Sequence, residues 1–396
     1  MEYLLIRNAR ICNGKLESDT PLQMILVAGG RIVAMGQDVK PPLTNTIDLD
    51  AKGNYLLPAL LSLSNPRPIK IDADALQTMN FENLTAGFAT IVTVSQNIED
   101  NIEELKNCTT PLLNYSLHFP LRSLTQQDLR RHKKIMLLNG VTTALVRFGE
   151  ERRTSISSIA NNISTARTLG LRVLYDFRGL LSGTERMQQL TDLCSHLQKD
   201  PENKAYIIGV EHVEELRLLE DYRGAFNLMT HLCYDPFGQS SSGLTKLSSQ
   251  SIIDTLRSNR HTTLGLAYSV GRVNKEGWPD MTPEIVSRNI LPMLAAMPAE
   301  QKLSIDELEE YSVVRPAQAL GLTPTIAKIA EGSTANLIVW NNNIDDFVSL
   351  NTPRGNVQQI PLHGRIESVV MNGKIVMTDK FHHDAVCGEH IYARLL

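Results

Sequence analysis

Cysteine is scarce in this sequence, and the few cysteines present lie far apart. No two of them form a CxxC pair, and their number is odd. This pattern gives neither a disulfide framework nor a zinc knuckle, and it predicts reduced thiols in a cytoplasmic protein. The five are Cys12, Cys108, Cys194, Cys233 and Cys387.

Long apolar segments and a strong charge imbalance are also missing. No apolar run reaches the roughly 18 residues that span a bilayer. Residues 1–7 lack a basic segment followed by an apolar one, so we expect no signal peptide. The 39 basic and 43 acidic residues give a net charge of −4, which argues against nucleic acid or an anionic membrane as the main partner.

What is present is the composition of an ordinary globular chain. Hydrophobic residues make up 42% and charged residues 21% of the 396 residues, which excludes disorder and a coiled coil. At about 150 residues per domain, this length allows two or three domains, or one large α/β barrel with an appendage.

The sequence pattern predicts short strands at both ends of the chain. At the start, residues 3–11, 24–27 and 31–35 are apolar or alternating, and Gly29-Gly30 predicts a tight hairpin. Near the end, the same strand-like pattern returns, with an Asn372-Gly373 turn, in residues 335–340, 368–371 and 374–377. We therefore predict one small β-sandwich domain built from residues 1–58 and 331–396.

The middle of the chain alternates between strand-like and helix-like segments. Amphipathic stretches with helical spacing occupy residues 98–106, 126–138, 155–169, 186–198, 213–221 and 248–258. Eightfold alternation over about 250 residues predicts a (β/α)₈ barrel over residues 59–330. The eight strand-like runs are residues 60–63, 90–94, 113–118, 143–148, 172–176, 206–210, 226–230 and 263–266.

Four passages of the chain share their pattern with one known family. They are residues 4–36, residues 57–67 with Leu57-Pro58-Ala59, residues 86–92, and the closing segments 315–322, 331–340 and 370–376. Together they resemble the amidohydrolase superfamily, and within it the dihydroorotase branch. The resemblance runs from residue 3 to about residue 378 and implies the same barrel with a two-ended β domain.

The resemblance also implies a metal centre, but the residues of that centre are missing here. The two histidines of an H-x-H motif correspond to Ser64 and Pro66, and the bridging carboxylated lysine corresponds to Val146. The eighth strand contains no aspartate. A serine hydroxyl is a poor zinc ligand, and proline offers no side-chain donor. We therefore expect no metal, no cofactor and no catalytic residues.

Several polar residues remain as candidate ligand-binding positions at the barrel mouth. The resemblance implies that Arg67 binds a substrate carboxylate through two hydrogen bonds. Each candidate has an alternative interpretation without a function, as a solvated loop residue or a histidine whose hydrogen bonds are satisfied within the fold. Cys233, close to His231, is disfavoured as a nucleophile because no third orienting group is evident. The candidates are Arg67, Gln96, Asn97, His118, His212 and His231.

Three functions follow from these observations. The first is an inactive dihydroorotase-like protein, homo-oligomeric, that serves as a structural or regulatory partner of aspartate transcarbamoylase in pyrimidine biosynthesis. Its contact surface would include the loops at residues 239–243 and 272–280. The second is an active cyclic amide hydrolase with a non-standard metal site. The third is a sensor that binds pyrimidine intermediates.

Overall fold

The structure is a computed structural model that describes most of the chain. The described residues are 2–11, 20–42, 45–64, 73–94, 113–121, 143–148, 156–178, 183–199, 204–236, 243–266, 290–322, 326–351 and 357–378, with single positions at 103, 130, 133, 136, 141, 382 and 388. None of the helices in these ranges is both long and apolar enough to cross a membrane.

Five strands come from the start of the chain, and they confirm the predicted strands there. The turn between the second and third strands has positive φ angles at Gly29 and Gly30, as the predicted tight hairpin requires. The strands are β1 (Tyr3–Ile11), β2 (Gln23–Ala28), β3 (Arg31–Gly36), β4 (Thr46–Asp50) and β5 (Tyr55–Pro58).

Eight parallel strands follow, and neighbours in the chain are neighbours in the sheet. They confirm all eight predicted runs and form a (β/α)₈ barrel. Their side chains are buried almost throughout, as expected for parallel strands that are covered on both faces. The strands are β6 (Leu60–Ser62), β7 (Phe88–Val94), β8 (Asn114–Pro120), β9 (Thr143–Arg147), β10 (Arg172–Asp176), β11 (Lys204–Val210), β12 (Asn227–Tyr234) and β13 (Thr262–Leu266).

Three strands near the end return to the first sheet: β14 (Leu337–Asn351), β15 (Val357–Met371) and β16 (Lys374–Met377). The sheet order is β16-β15-β14-β5-β1-β2-β3, with β4 beside β1, so one sheet combines both ends of the chain. The Asn372-Gly373 hairpin is confirmed, with φ angles of 45° and 77°. The strands β14 and β15 are much longer than predicted and form a two-stranded ribbon.

Helices cover the barrel. Four predicted amphipathic stretches are confirmed as α2 to α5, whereas residues 98–106 and 126–138 lie almost entirely outside the described residues. Near the end of the barrel a π-helical turn, Glu310–Val314, joins two short helices. The helices are α1 (Ala73–Thr85), α2 (Ile156–Thr168), α3 (Gly183–Leu197), α4 (Val213–Asp221), α5 (Ser249–Ser258), α6 (Ile290–Ala295), α7 (Ile305–Glu309) and α8 (Arg315–Leu320).

Candidate functional site

The ends of β9 and β10 bring two opposite charges together inside the barrel. In the parallel ladder, Arg147 is the cross-strand partner of Asp176, and Val146 is the partner of Tyr175. Arg147 Nε lies 3.4 Å from Asp176 Oδ2, and both side chains are largely buried. Neighbouring side chains on a strand point to opposite faces. The side chain on the face of Asp176 is therefore Arg147 and not Val146.

A second arginine binds the same carboxylate. Arg178 donates from Nε to Asp176 Oδ1 and from Nη2 to Asp176 Oδ2, each at 2.9 Å. Its Nη2 also donates to the carbonyl oxygen of Ser64 at 2.8 Å, while Arg147 Nη2 lies 3.4 Å from Ser64 Oγ. We call Ser64, Arg147, Asp176 and Arg178 the central cluster. Burial alone would lower the pKa of Arg178, but Asp176 outweighs burial and raises it.

Gly209 leaves the space that the Arg178 side chain occupies. A β-carbon at Gly209 would lie 2.5 Å from Arg178 Cγ and 2.9 Å from Arg178 N. Gly209 also has a φ of +92°, a conformation that favours glycine. By the resemblance, a metal-binding histidine falls at Gly209 or nearby. An arginine from the neighbouring strand end therefore fills the space that such a side chain would need.

A second group of charges, which we call the lateral cluster, lies beyond the ends of β11 and β12. Buried Arg186 on α3 binds Glu215 on α4 and lies 3.4 Å from Glu211. Lys246 Nζ lies 2.6 Å from Glu211 Oε2 and 3.1 Å from Asp235 Oδ2. The central and lateral clusters together contain four basic and four acidic side chains, so their formal charges cancel.

Glu215 shows how firmly the lateral cluster holds its charges. Burial alone would raise the pKa of Glu215, but Arg186 and His212 outweigh it and lower the pKa to about 2. The carboxylate also accepts hydrogen bonds from the backbone N–H groups of Glu211 and His212 at 3.0 and 3.1 Å. A carboxylate with such a low pKa is a poor general base near neutral pH.

His212 lies at the helix start that this carboxylate organises. It is the N-cap residue of α4, and its Nδ1 lies 3.1 Å from Glu215 Oε2. These contacts agree with a structural role for His212, as a polar residue at a strand end whose hydrogen bonds are made within the fold.

His118 on β8 and His231 on β12 are both buried, and burial lowers the pKa of each to about 3. His118 Nε2 lies 3.0 Å from the carbonyl oxygen of Leu63, which can only accept, so this nitrogen carries the proton. His118 Nδ1 then accepts from Thr143 Oγ1 at 2.6 Å. His118 is therefore a neutral histidine with both nitrogens engaged.

His231 makes one such contact. Its Nδ1 lies 2.7 Å from Thr263 Oγ1. Among the described residues the Thr263 hydroxyl has no other acceptor, so it donates to Nδ1 and leaves the proton of His231 on Nε2. That nitrogen lies over Gly265, where a β-carbon would come within 2.5 Å of it.

Cys233 does not have the surroundings of a nucleophile. It is fully buried, and burial raises the pKa of its thiol to about 12. Reactive cysteines depend on the thiolate, which a raised pKa suppresses. This agrees with the expectation from the sequence.

The predicted site residues divide into two groups. Ser64 and His212 follow the carboxyl ends of β6 and β11, whereas β8 and β12 run past the predicted ends, so His118 and His231 lie two and three residues inside them. Pro66, Arg67, Gln96 and Asn97 lie outside the described residues, as does almost all of the two proposed contact loops. Sequence reasoning missed the charges that dominate the site: Asp176, Arg178, Arg186, Glu215, Asp235 and Lys246.

The described residues do not fit the metal that the resemblance implies. No group of three or more histidine, cysteine, aspartate or glutamate side chains in the described ranges is arranged to hold an ion. Asp176 binds two guanidinium groups that also contact the degenerate position Ser64, and these groups would repel a cation.

Solved structures with the same architecture are enzymes that open cyclic amides. The chain is similar to a D-hydantoinase and to a dihydropyrimidinase from Brevibacillus agri NCHU1002, each with a TM-score of 0.78 and 16% identity over 99% of both chains. A dihydroorotase matches with a TM-score of 0.59 and 12% identity over 95% of this chain and 99% of its own. No family model and no curated protein matches the sequence. At these identities the likeness establishes the fold alone: a (β/α)₈ barrel with a β-rich unit.

Proposed function

We propose that this chain is an amidohydrolase-fold protein that does not hydrolyse cyclic amides through a metal, and that it serves as a structural or regulatory subunit. The observation that carries the proposal is the central cluster. Arg147 and Arg178 surround Asp176 and contact Ser64, which by the resemblance is the first position of the metal site. Their positive charges take the place that a divalent cation would need.

The chemistry of the site supports the same conclusion. A bound metal would lower the pKa of its water to about 7, and a carboxylate would be needed to move the proton. Here both oxygens of Asp176 accept hydrogen bonds from Arg178. His118 has both ring nitrogens engaged, and Glu215 holds its charge to a pKa of about 2. The described residues offer no group that is placed to activate water.

If the barrel does not catalyse hydrolysis, its outer surface is the part that would carry out a function, by binding a partner. We propose a homo-oligomer that also associates with aspartate transcarbamoylase, the partner implied by the resemblance to inactive dihydroorotase-like chains. Stable interfaces bury about 800 Å² per partner around a few aromatic or arginine anchors. Because the net charge is only −4, we expect such a complex to survive moderate salt.

Size-exclusion chromatography with light scattering tests the association. The protein is run alone, then mixed with aspartate transcarbamoylase from the same cell, and transcarbamoylase activity is measured in parallel. We expect a mass above one chain for the protein alone and a joint peak in the mixture. Two separate peaks with unchanged transcarbamoylase activity would refute the partner, and a ligand-binding sensor of pyrimidine intermediates would then be the better candidate.

The similarity to hydantoinases over 99% of both chains favours a second candidate, an active cyclic amide hydrolase. Hydrolysis assays with hydantoin, dihydrouracil and dihydroorotate, with zinc or manganese added, separate the two. An active hydantoinase prepared in the same way is the positive control. We expect no turnover by this chain. A rate that scales with its concentration and requires the added metal would establish the second candidate.

A further inference from the structure

A small cavity lies where the first and last barrel strands face each other. Its volume is about 50 Å³, and its walls come from β6, β13, α6 and the π-helical turn. Most of the lining is aliphatic or aromatic, from residues such as Leu60, Phe88, Leu264 and Leu294. Four polar side chains also line it: Ser62, Arg178, His231 and Ser312.

The Ser312 hydroxyl is the least expected of these groups. Ser312 is 7% exposed, and its Oγ has no hydrogen-bond partner within the described part of the chain. A buried hydroxyl without a partner costs about 1–3 kcal/mol, so such groups in native proteins usually face an unseen water or ligand. Ser312 also lies in the π-helical turn, a deviation that is frequent at functional sites.

Arg178 and His231, which also line the cavity, each carry an N–H group without a described partner. Thr263 occupies Nδ1 of His231, so Nε2 carries the proton and has no partner among the described residues. Arg178 uses Nε and Nη2 on Asp176 and Ser64, and its Nη1 makes no hydrogen bond to a described residue. The residues that line this mostly apolar space therefore include three that have a donor without a described partner: a guanidinium, an imidazole and a hydroxyl.

We propose that this cavity binds a small carboxylate or bicarbonate. Three donors, one of them a guanidinium, select a ligand that is rich in acceptors and negatively charged. One water molecule needs about 10–15 Å³ of cavity volume. A cavity of about 50 Å³ therefore accommodates roughly three to five non-hydrogen atoms. Formate, acetate and bicarbonate have that size, and aromatic carboxylates do not. The site is present whether or not the barrel acts as a hydrolase.

Thermal unfolding of the intact protein tests the proposal. The melting temperature is measured against increasing sodium formate, acetate, bicarbonate or benzoate, with chloride keeping the ionic strength constant. A ligand that binds only the folded state raises the melting temperature with the logarithm of its concentration. We expect this rise with at least one of the three small anions, and none with benzoate. The three small-anion arms identify which ligand the cavity prefers.

Ser312→Ala is the informative variant, because it removes one donor without adding bulk. In ligand-free buffer it should unfold at the same or a higher temperature than wild type, since an unpaired hydroxyl is removed. Its affinity for the anion should fall at least about tenfold, the usual cost of losing a hydrogen bond to a charged group. Ser333→Ala is the matched control: Ser333 is also buried, and its Oγ also lacks a described partner, but it does not line the cavity.

Two results would overturn the proposal. One is a wild-type protein whose melting temperature does not respond to any of the three small anions. The other is an equal response in Ser312→Ala, which would show that the anion acts elsewhere on the protein.

Discussion

Arg178 holds Asp176 through two parallel hydrogen bonds, from Nε to Oδ1 and from Nη2 to Oδ2, each 2.9 Å long. Both side chains are at least nine-tenths buried. The two residues are two positions apart at the end of β10. Arg147 on the adjacent strand β9 also contacts Asp176. Arg178 also donates to the carbonyl oxygen of Ser64, so the pair connects the end of β10 to the end of β6, which lies four strands away in the sheet order.

Neutralising Asp176 should destabilise the fold. In Asp176→Asn, two buried arginines lose their carboxylate, and breaking a buried pair typically costs about 3–5 kcal/mol. We expect a loss of this size in the free energy of unfolding from urea titration. Asp254→Asn, an exposed aspartate on α5 that accepts from Gln250, is the control and should change little. A loss below about 1 kcal/mol for Asp176→Asn would mean that the pair does not stabilise the barrel.

Filling the space at Gly209 should displace Arg178. In Gly209→Ala, the new methyl group meets Arg178 at 2.5 Å, in addition to the strain of a positive φ. Gly224→Ala is a close control, because Gly224 has a φ of +90° and a β-carbon added there would meet nothing within 4 Å. Strain alone costs about 1–3 kcal/mol. We expect Gly209→Ala to lose clearly more unfolding free energy than Gly224→Ala; equal losses would show that Arg178 adapts without cost.

Protonation of two buried histidines should weaken the fold under mildly acidic conditions. His118 and His231 have folded pKa values of about 3, against about 6.5 when exposed. Between these values the unfolded chain binds more protons, so the free energy of unfolding falls as pH falls below about 6.5, by up to about 1.4 kcal/mol per pH unit for each histidine. The Glu215 contribution is present above about pH 4.5 and is lost only as pH falls towards 2.

Urea titrations at a series of pH values from neutral to mildly acidic measure how steeply the free energy of unfolding depends on pH. We expect a shallower slope in His118→Gln and in His231→Gln than in wild type. An unchanged slope in both barrel variants would contradict the assignment of neutral, buried imidazoles.

The barrel could be predicted from the sequence because each strand is a short, nearly continuous apolar run. Such runs lie in parallel strands that are buried on both faces, and β10 is buried at every residue. The ribbon of β14 and β15 could not be predicted in the same way. Most of residues 341–347 are polar and all are half-exposed or exposed, and their strand conformation comes from pairing with β15.

The central and lateral clusters were missed for a related reason. A search for metal ligands passes over arginines, although Asp176 and Arg178 at the end of a strand were a visible signal. The lateral cluster has no local signal, because Arg186 and Glu215 lie on different helices and meet only in the folded barrel. The sequence did show which positions had lost their ligands, but not which charges had replaced them.

Elemental analysis of the purified protein tests the central claim most directly. The protein is produced in zinc-supplemented medium, purified without chelators and dialysed, with an active hydantoinase treated in parallel. We expect far less than one metal ion per chain, because Arg147 and Arg178 bind Asp176 and contact Ser64, where the resemblance implies the first metal ligand. One zinc per chain that is lost in His212→Ala or His231→Ala would contradict the account.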